Sequence, residues 1–396
     1  MYARMPEARK LASRLFVLMS AFWLAACAGG PRLVAPGADT GQLIDASEPV
    51  QVALLVPGGS VEGSDRFLAR NLENAARLAI SDLDNVVIDL RVYNTGAEPG
   101  QAAAVASRAV DEGAKILLGP LFAESANAAG VAVAPRNVNV LAFSNNTAIA
   151  GGNVFVLGAT FENTAERLVG YATRNGNRRF AILHGSDLAG EAGRDAIATA
   201  VRRAGGSVAG IESYPLSQEG VTSATPRLAS AIRAGGADAV FLTAGPNAEL
   251  PILATALPEA GISPTDFQFI GLTRWNATPQ ALALPGLQGG LFALPDRTMT
   301  ANFEARYASV YGDTPHPLAG LAYDGIAAIG ALVARDGNSA LTKSALTTPQ
   351  GFQGTQGVFR LRSDGRNERG LAVATVRNNQ VVILEAAPRS FGGAGF

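Results

Sequence analysis

The chain has 396 residues, 48% of them hydrophobic and 16% charged, with a formal net charge of -1 at pH 7. That balance describes a globular protein with a sizeable core, and without a basic stripe there is no electrostatic pull toward nucleic acid. One cysteine and two histidines leave no second thiol for a disulfide and no Cys/His cluster at metal-ligand spacing.

The first 26 residues place Arg4, Arg9, Lys10 and Arg14 ahead of an apolar run from Leu15 to Ala26 that is too short to span a bilayer. This is the build of an export signal. Leu24, Ala25, Ala26 and Cys27, a short apolar residue, two small ones and a cysteine, resemble the bacterial lipobox. The resemblance implies that residues 1–26 are removed and that Cys27 carries the lipid, several acyl chains holding the membrane firmly where one would be marginal. Ala28 rather than aspartate follows the cysteine. By similarity to enteric lipoproteins this implies a periplasmic protein anchored to the outer membrane. The rest of residues 27–49 is rich in Gly, Pro and Ala and predicts a flexible tether, with a reach of about 75 Å fully extended. Beyond the leader, the most apolar stretch, residues 317–334, carries Asp324 and several glycines and predicts a packed helix, not a span.

From Val50 the pattern alternates. QVALLVP precedes a helix through NLENAARLAISDL; VVIDLRVYN precedes QAAAVASRAVDEG; KILLGP precedes ESANAAGVAVA; NVLAF follows. Strand and helix repeated in this way predict a parallel sheet covered on both faces. In the first helix Leu72, Ala76, Ala79 and Leu83 recur at helical spacing, with Arg70, Glu73 and Arg77 left for solvent. A second series, RFAILHG, SVAGIESYP, ADAVFLTAG and FQFIGL, each followed by a helical stretch, predicts a second lobe.

The segments VALLVPGGS, AKILLGPLFAES, NVLAFSNN, the run from Asn153 to Gly193, GADAVFLTAGPN, the helix around Tyr323 and Asp324, and the run from Phe352 to Leu384 resemble, in this order, the type I periplasmic binding proteins, the leucine-binding-protein family. The resemblance covers nearly all of residues 50–384. It implies an α/β fold of two doubly wound parallel-sheet lobes with an interlobe cleft and three chain crossings, near Gly158, Leu294 and Gln350. Residues 50–157 with 295–350 would form the first lobe, residues 158–294 with 351–388 the second, and 389–396 a tail.

Enzymatic machinery is thin. Cys27 is assigned to lipid, no G-x-S-x-G elbow occurs, and neither phosphate-binding glycine motif follows a strand, so no catalytic residue, cofactor or metal is expected. His316, between two prolines, reads as a solvated loop residue; His184, ending a strand, reads equally as a ligand contact or as a histidine satisfied by local backbone. Strand-end loops running into helices offer free N–H groups to a carboxylate. Ser60 in the GGS turn, Ser125 in GPLFAES, and Ser144, Asn145 and Asn146 in LAFSNN are the candidates on the first lobe, Ser125 and Ser144 reading equally as a helix cap and a turn former. Asp187, Thr243, Asn247, Thr273 and Trp275 are the candidates on the second, and the resemblance adds Tyr323. An ammonium group would want Asp187 or Glu191, either of which reads equally as a helix cap. Two departures from the family's amino-acid binders stand out: Leu188 occupies the place of the usual aromatic lid, and Phe122 and Glu124 replace small hydroxyl residues. The implied function is binding of a small polar, amino-acid-like ligand for an ABC permease or for sensing. The alternative is activation of a penicillin-binding protein, a peptidoglycan synthase, because GPL, NVLAF and LPGLQGGLFALPD also resemble the outer-membrane lipoprotein activators of those enzymes.

Overall fold

The computed structural model describes residues 39–392. The leader, Cys27 and the tether up to residue 38 lie outside the described residues. The chain begins with β1 (Val50–Val56), α1 (Gly63–Ser81), β2 (Ile88–Asn94), α2 (Pro99–Asp111), β3 (Ile116–Leu118), α3 (Ala123–Val133), β4 (Asn139–Ala142) and β5 (Val154–Val156). These strands form one all-parallel sheet in the order β2-β1-β3-β4-β5. Along β1, Val52, Leu54 and Val56 enter the core shared with α1, while Ala53 and Leu55 enter the core under α2 and α3. A strand buried on both faces needs apolar residues at every position, which is why VALLV is continuous and not alternating.

The second series gives α4 (Phe161–Arg174), β6 (Arg179–Gly185), α5 (Leu188–Arg203), β7 (Ser207–Tyr214), α6 (Gln218–Ala234), β8 (Ala239–Leu242), α7 (Glu249–Glu259), β9 (Gln268–Gly271) and β10 (Leu291–Leu294). The chain then returns to the first sheet as α8 (Arg297–Tyr311), α9 (Gly320–Asp336) and α10 (Lys343–Leu346). Leu321, Ala322, Ile326 and Ile329 of α9 share the core of α1, so the apolar stretch is a packed helix, as Asp324 and the glycines suggested, running over Gly320–Asp336. A small antiparallel sheet, β11 (Phe352–Gly354), β12 (Gly357–Leu361) and β13 (Asn367–Arg369), precedes the hairpin β14 (Ala372–Arg377) and β15 (Gln380–Glu385). The second large sheet has the order β15-β14-β10-β9-β8-β6-β7, parallel apart from this hairpin.

Two boundaries differ from expectation. Residues 39–49 are not a free tether: Thr40 and Ile44 are buried, the Ile44 N–H donates to the Asn338 carbonyl at 3.0 Å, and Asn139 Nδ2 donates to the Thr40 carbonyl at 3.2 Å. Gly and Ala there reflect close packing, as at Gly41, where a Cβ would fall 2.1 Å from the Leu341 carbonyl oxygen. Residues 351–369, expected with the second lobe, place Phe352, Phe359 and Leu361 in the core of α1 and α9. The chain re-enters the second sheet at Ala372, which pairs with Leu294.

Candidate functional site

In the first sheet, β1 lies between β2 and β3, and the chain moves first to one side and then to the other; in the second, β6 lies in the same way between β7 and β8. Such switch points leave a crevice outside the carboxyl ends of the two central strands, because the following helices diverge to opposite faces. The crossings put these edges on a common hinge. The chain leaves the first sheet at the carboxyl end of β5, leaves the second at the carboxyl end of β10, and re-enters beside that same end at Ala372.

The first edge gathers Ser60, Ser125, Ser144, Asn145 and Asn146 on the adjacent loops after β1, β3 and β4. Ser60 is engaged locally: its Oγ donates to Asp65 Oδ2 at 2.8 Å and accepts from the Glu62 N–H at 3.1 Å. Ser144 is buried and its Oγ accepts from the Asn146 N–H at 3.1 Å, while Asn146 Oδ1 caps the following turn through the Ala148 N–H at 2.9 Å. Asn145 is exposed. Ser125 is different. It is 0% exposed, sits in the first turn of α3, and its hydroxyl has no hydrogen-bond partner. Phe122, the residue before α3, supplies no side-chain cap, so the first N–H groups of this helix remain open. The loop reaches this position through Gly119, where φ is 86° and a Cβ would fall 2.2 Å from the Leu55 carbonyl oxygen, so that only glycine fits. Glu124 is exposed, so its carboxylate is not carried inward with Ser125.

The second edge gathers Asp187, Thr243, Asn247 and Thr273 after β6, β8 and β9. Asp187 caps α5, its Oδ1 accepting from the Gly190 N–H at 3.0 Å. Thr243 Oγ1 accepts from the Gly185 N–H at 3.2 Å, Thr273 Oγ1 donates to the Ala244 carbonyl at 2.8 Å, and the Thr278 hydroxyl donates to Asn247 Oδ1. Glu191 is exposed in the first turn of α5. Desolvation pushes the buried Tyr214 hydroxyl, beside Thr243, well above its ordinary pKa.

Two candidates are not at the crevice. Trp275 is 0% exposed within the second-lobe core, stacked on Phe292 with ring centroids 5.6 Å apart. Gly271 and Gly290 form its slot, since a Cβ on them would fall 2.1 and 2.5 Å from ring atoms. Its indole N–H has no partner, but the ring is walled in by protein. Tyr323 donates its hydroxyl to Asp82 at 2.9 Å, at the opposite end of α1 from the Ser60 loop, and burial with that hydrogen bond pushes its pKa up to about 12. The two histidines resolve differently. His184 Nδ1 lies 2.8 Å from the Gly185 carbonyl, satisfied by local backbone. His316 is half-buried instead of solvated: its ring meets Phe67 edge-on at 6.1 Å, and burial lowers its pKa.

A polar hinge network escaped the sequence reading. Asn367 Nδ2 donates to the carbonyls of Val156 and Gly158 at 2.9 and 2.8 Å, and Asn163 Nδ2 donates to the Asn367 carbonyl at 3.2 Å. Arg369 Nε donates to the Leu157 carbonyl at 3.1 Å, and its Nη1 lies 3.6 Å from Asp324, the two side chains being 4% and 1% exposed. Desolvation raises the Asp324 pKa against the opposing pull of Arg369 and of the Thr355 N–H. Asp324 inside an apolar helix was the one signal of this pair in the sequence. Among the described residues, no group of three or more His, Cys, Asp or Glu could hold a metal ion, and no helix is long and apolar enough to cross a membrane.

The sequence matches the family model described as periplasmic binding protein over residues 49–380. Among solved structures, a provisionally assigned branched-chain amino acid ABC transporter from Rhodospirillum rubrum has a TM-score of 0.70 at 18% identity, covering 85% of this chain and 100% of its own. A branched-chain amino acid ABC transporter periplasmic ligand-binding protein from Burkholderia xenovorans has a TM-score of 0.65 at 16% identity, covering 87% and 97%. An ABC transporter substrate-binding protein from Desulfitobacterium hafniense, solved in complex with Leu, has a TM-score of 0.60 at 17% identity, covering 85% and 100%. No curated protein sequence matches.

Proposed function

Because the chain belongs to the periplasmic binding protein family, we propose that it is a non-catalytic periplasmic protein that binds a small amino-acid-like ligand in the crevice between its two sheets, for ABC-type uptake or sensing. The observation that carries this reading is the buried, unpartnered Ser125 hydroxyl in the open first turn of α3. A ligand carboxylate there would satisfy the hydroxyl and the free N–H groups together, in the favourable field of the helix end. In this reading Ser60, Ser144, Asn145 and Asn146, on the loops after β1 and β4, would flank the ligand, and Asp187, Thr243, Asn247 and Thr273, on the loops after β6, β8 and β9, would meet it from the other lobe. Asp187 and Glu191 offer negative charge for an ammonium group. Branched-chain amino acids head the test panel, since they or leucine are named for the similar solved proteins.

Lipid on Cys27 would anchor the protein, and residues 39–49, packed against the first lobe, would add no reach to that attachment. Attachment to the outer membrane would favour sensing or capture near that membrane over direct delivery to an inner-membrane permease. Thermal-shift screening and small-angle scattering against an amino-acid panel test the reading: a raised unfolding temperature and a smaller radius of gyration with at least one member are expected. No response to any member, together with capture of a bifunctional penicillin-binding protein, would replace it with the synthase-activator alternative.

A further inference from the structure

A cavity of about 630 Å³ lies away from the strand-end crevice, walled by α4, by the end of α5 and by the passage from β12 to β14. Its volume is in the range of small-molecule sites. Gly170, Ala200, Ala204, Leu371 and Pro388 supply apolar wall, and the charged lining is unbalanced: Arg167, Arg174, Arg203, Arg362 and Arg369 face only Glu166 and Glu368.

The ion pairs around the cavity do not remove the imbalance. Arg203 pairs with Glu166 and Arg369 with Asp324, one for one. Glu385, however, serves both Arg167 and Arg174, and Glu368 serves both Arg360 and Arg362. Among the described residues, six guanidinium groups therefore share four carboxylates, which leaves two positive charges in excess. Burial works to raise the pKa of Glu385, yet its two arginines hold it below the usual value, so it stays ionised and cannot take up the difference by changing protonation. A second observation points the same way. Thr173 lines the cavity, is 8% exposed, and has a hydroxyl without a hydrogen-bond partner.

We propose that this cavity is a second ligand site, separate from the crevice, for a metabolite-sized dianion carrying carboxylate or phosphate groups. Two negative charges match the excess, planar guanidinium groups suit either oxyanion, and the apolar wall takes a short carbon chain. The site joins helices of the second lobe to the strand that carries Asn367 and Arg369, so it adjoins the hinge.

The test is calorimetric titration of the full-length chain in low-salt buffer with succinate and with glycerol 3-phosphate, the two probes separating a carboxylate preference from a phosphate one. Saturable binding of at least one probe is expected, weakening as salt rises. The double variant R203Q/R362Q should weaken it tenfold or more, while its unfolding temperature stays near that of the unmodified chain, because both arginines are about half exposed and make surface pairs. S125A, in the crevice, should leave it unchanged. Binding of neither probe, binding that survives R203Q/R362Q, or binding abolished by S125A would each overturn the proposal.

Discussion

The starts of α3 and α5 each lie on a loop that follows a strand beside the switch point of its sheet, yet they are finished differently. The start of α5 is closed by Asp187, whose carboxylate takes the Gly190 N–H, and Thr243 nearby is bonded to the Gly185 N–H. At α3 no side chain caps the helix, and the Ser125 hydroxyl beside it is buried without a partner. A buried hydroxyl left unmet costs about 1–3 kcal/mol. The start of α3 thus retains an unfilled demand for an acceptor, whereas the start of α5 is capped and acidic. A ligand that is anionic at one end and cationic at the other would fit this difference.

The largest effect is expected at the buried Asp324–Arg369 pair. D324A would strand Arg369 and should lower stability by about 3–5 kcal/mol, visible in urea unfolding; a loss under about 1 kcal/mol would show that the pair contributes little to stability. Next, S125A should weaken amino-acid binding by about 1.5–3 kcal/mol, the range for a hydrogen bond to a charged group, or roughly ten- to hundredfold in Kd. The same variant should be as stable as the unmodified chain or slightly more so, because it removes an unmet polar group. A structural serine would behave in the opposite way in both assays.

D187A and D187N sharpen the second half of the comparison. Removing the cap should cost about 1 kcal/mol of stability, while D187N keeps a capping oxygen and loses the charge. Amino-acid affinity that falls in both variants assigns the ammonium to Asp187; affinity unchanged in D187N moves it to Glu191. The smallest effect concerns His316, beside Phe67 at the start of α1. Burial lowers its pKa from 6.5, so the folded state prefers the neutral ring. Its contribution is present above the unfolded pKa and declines as pH falls through the folded one. The difference in unfolding temperature between the unmodified chain and H316Q should therefore shift against the unmodified chain between about pH 7 and pH 5, and no pH dependence in that difference would show that the ring's burial does not govern its protonation.

Periodicity made the fold legible. VALLV, RFAILHG and ADAVFLTAG are continuous apolar runs because their strands are covered on both faces, and the order of the segments carried the family. Side-chain commitment was less legible. Trp275 follows a strand as a lid residue would, but only the slot formed by Gly271 and Gly290 turns it into core. Residues 39–49 have a linker's composition and are fixed by long-range hydrogen bonds to Asn139 and Asn338. The small sheet of residues 352–369 joins the first core through Phe352 and Phe359, contacts that local pattern does not encode. Ser125 was found as a residue type in a strand-end loop, while its missing partner, the feature that distinguishes it, is visible only in three dimensions.

The central claim is that the open end of α3 holds a ligand carboxylate. Calorimetric titration of the full-length chain with leucine, isoleucine and valine, each against its carboxamide, tests it most directly. Saturable binding of at least one amino acid is predicted, with its amide bound roughly a hundredfold more weakly or worse; no binding of any of the three, or equal binding of acid and amide, would contradict it.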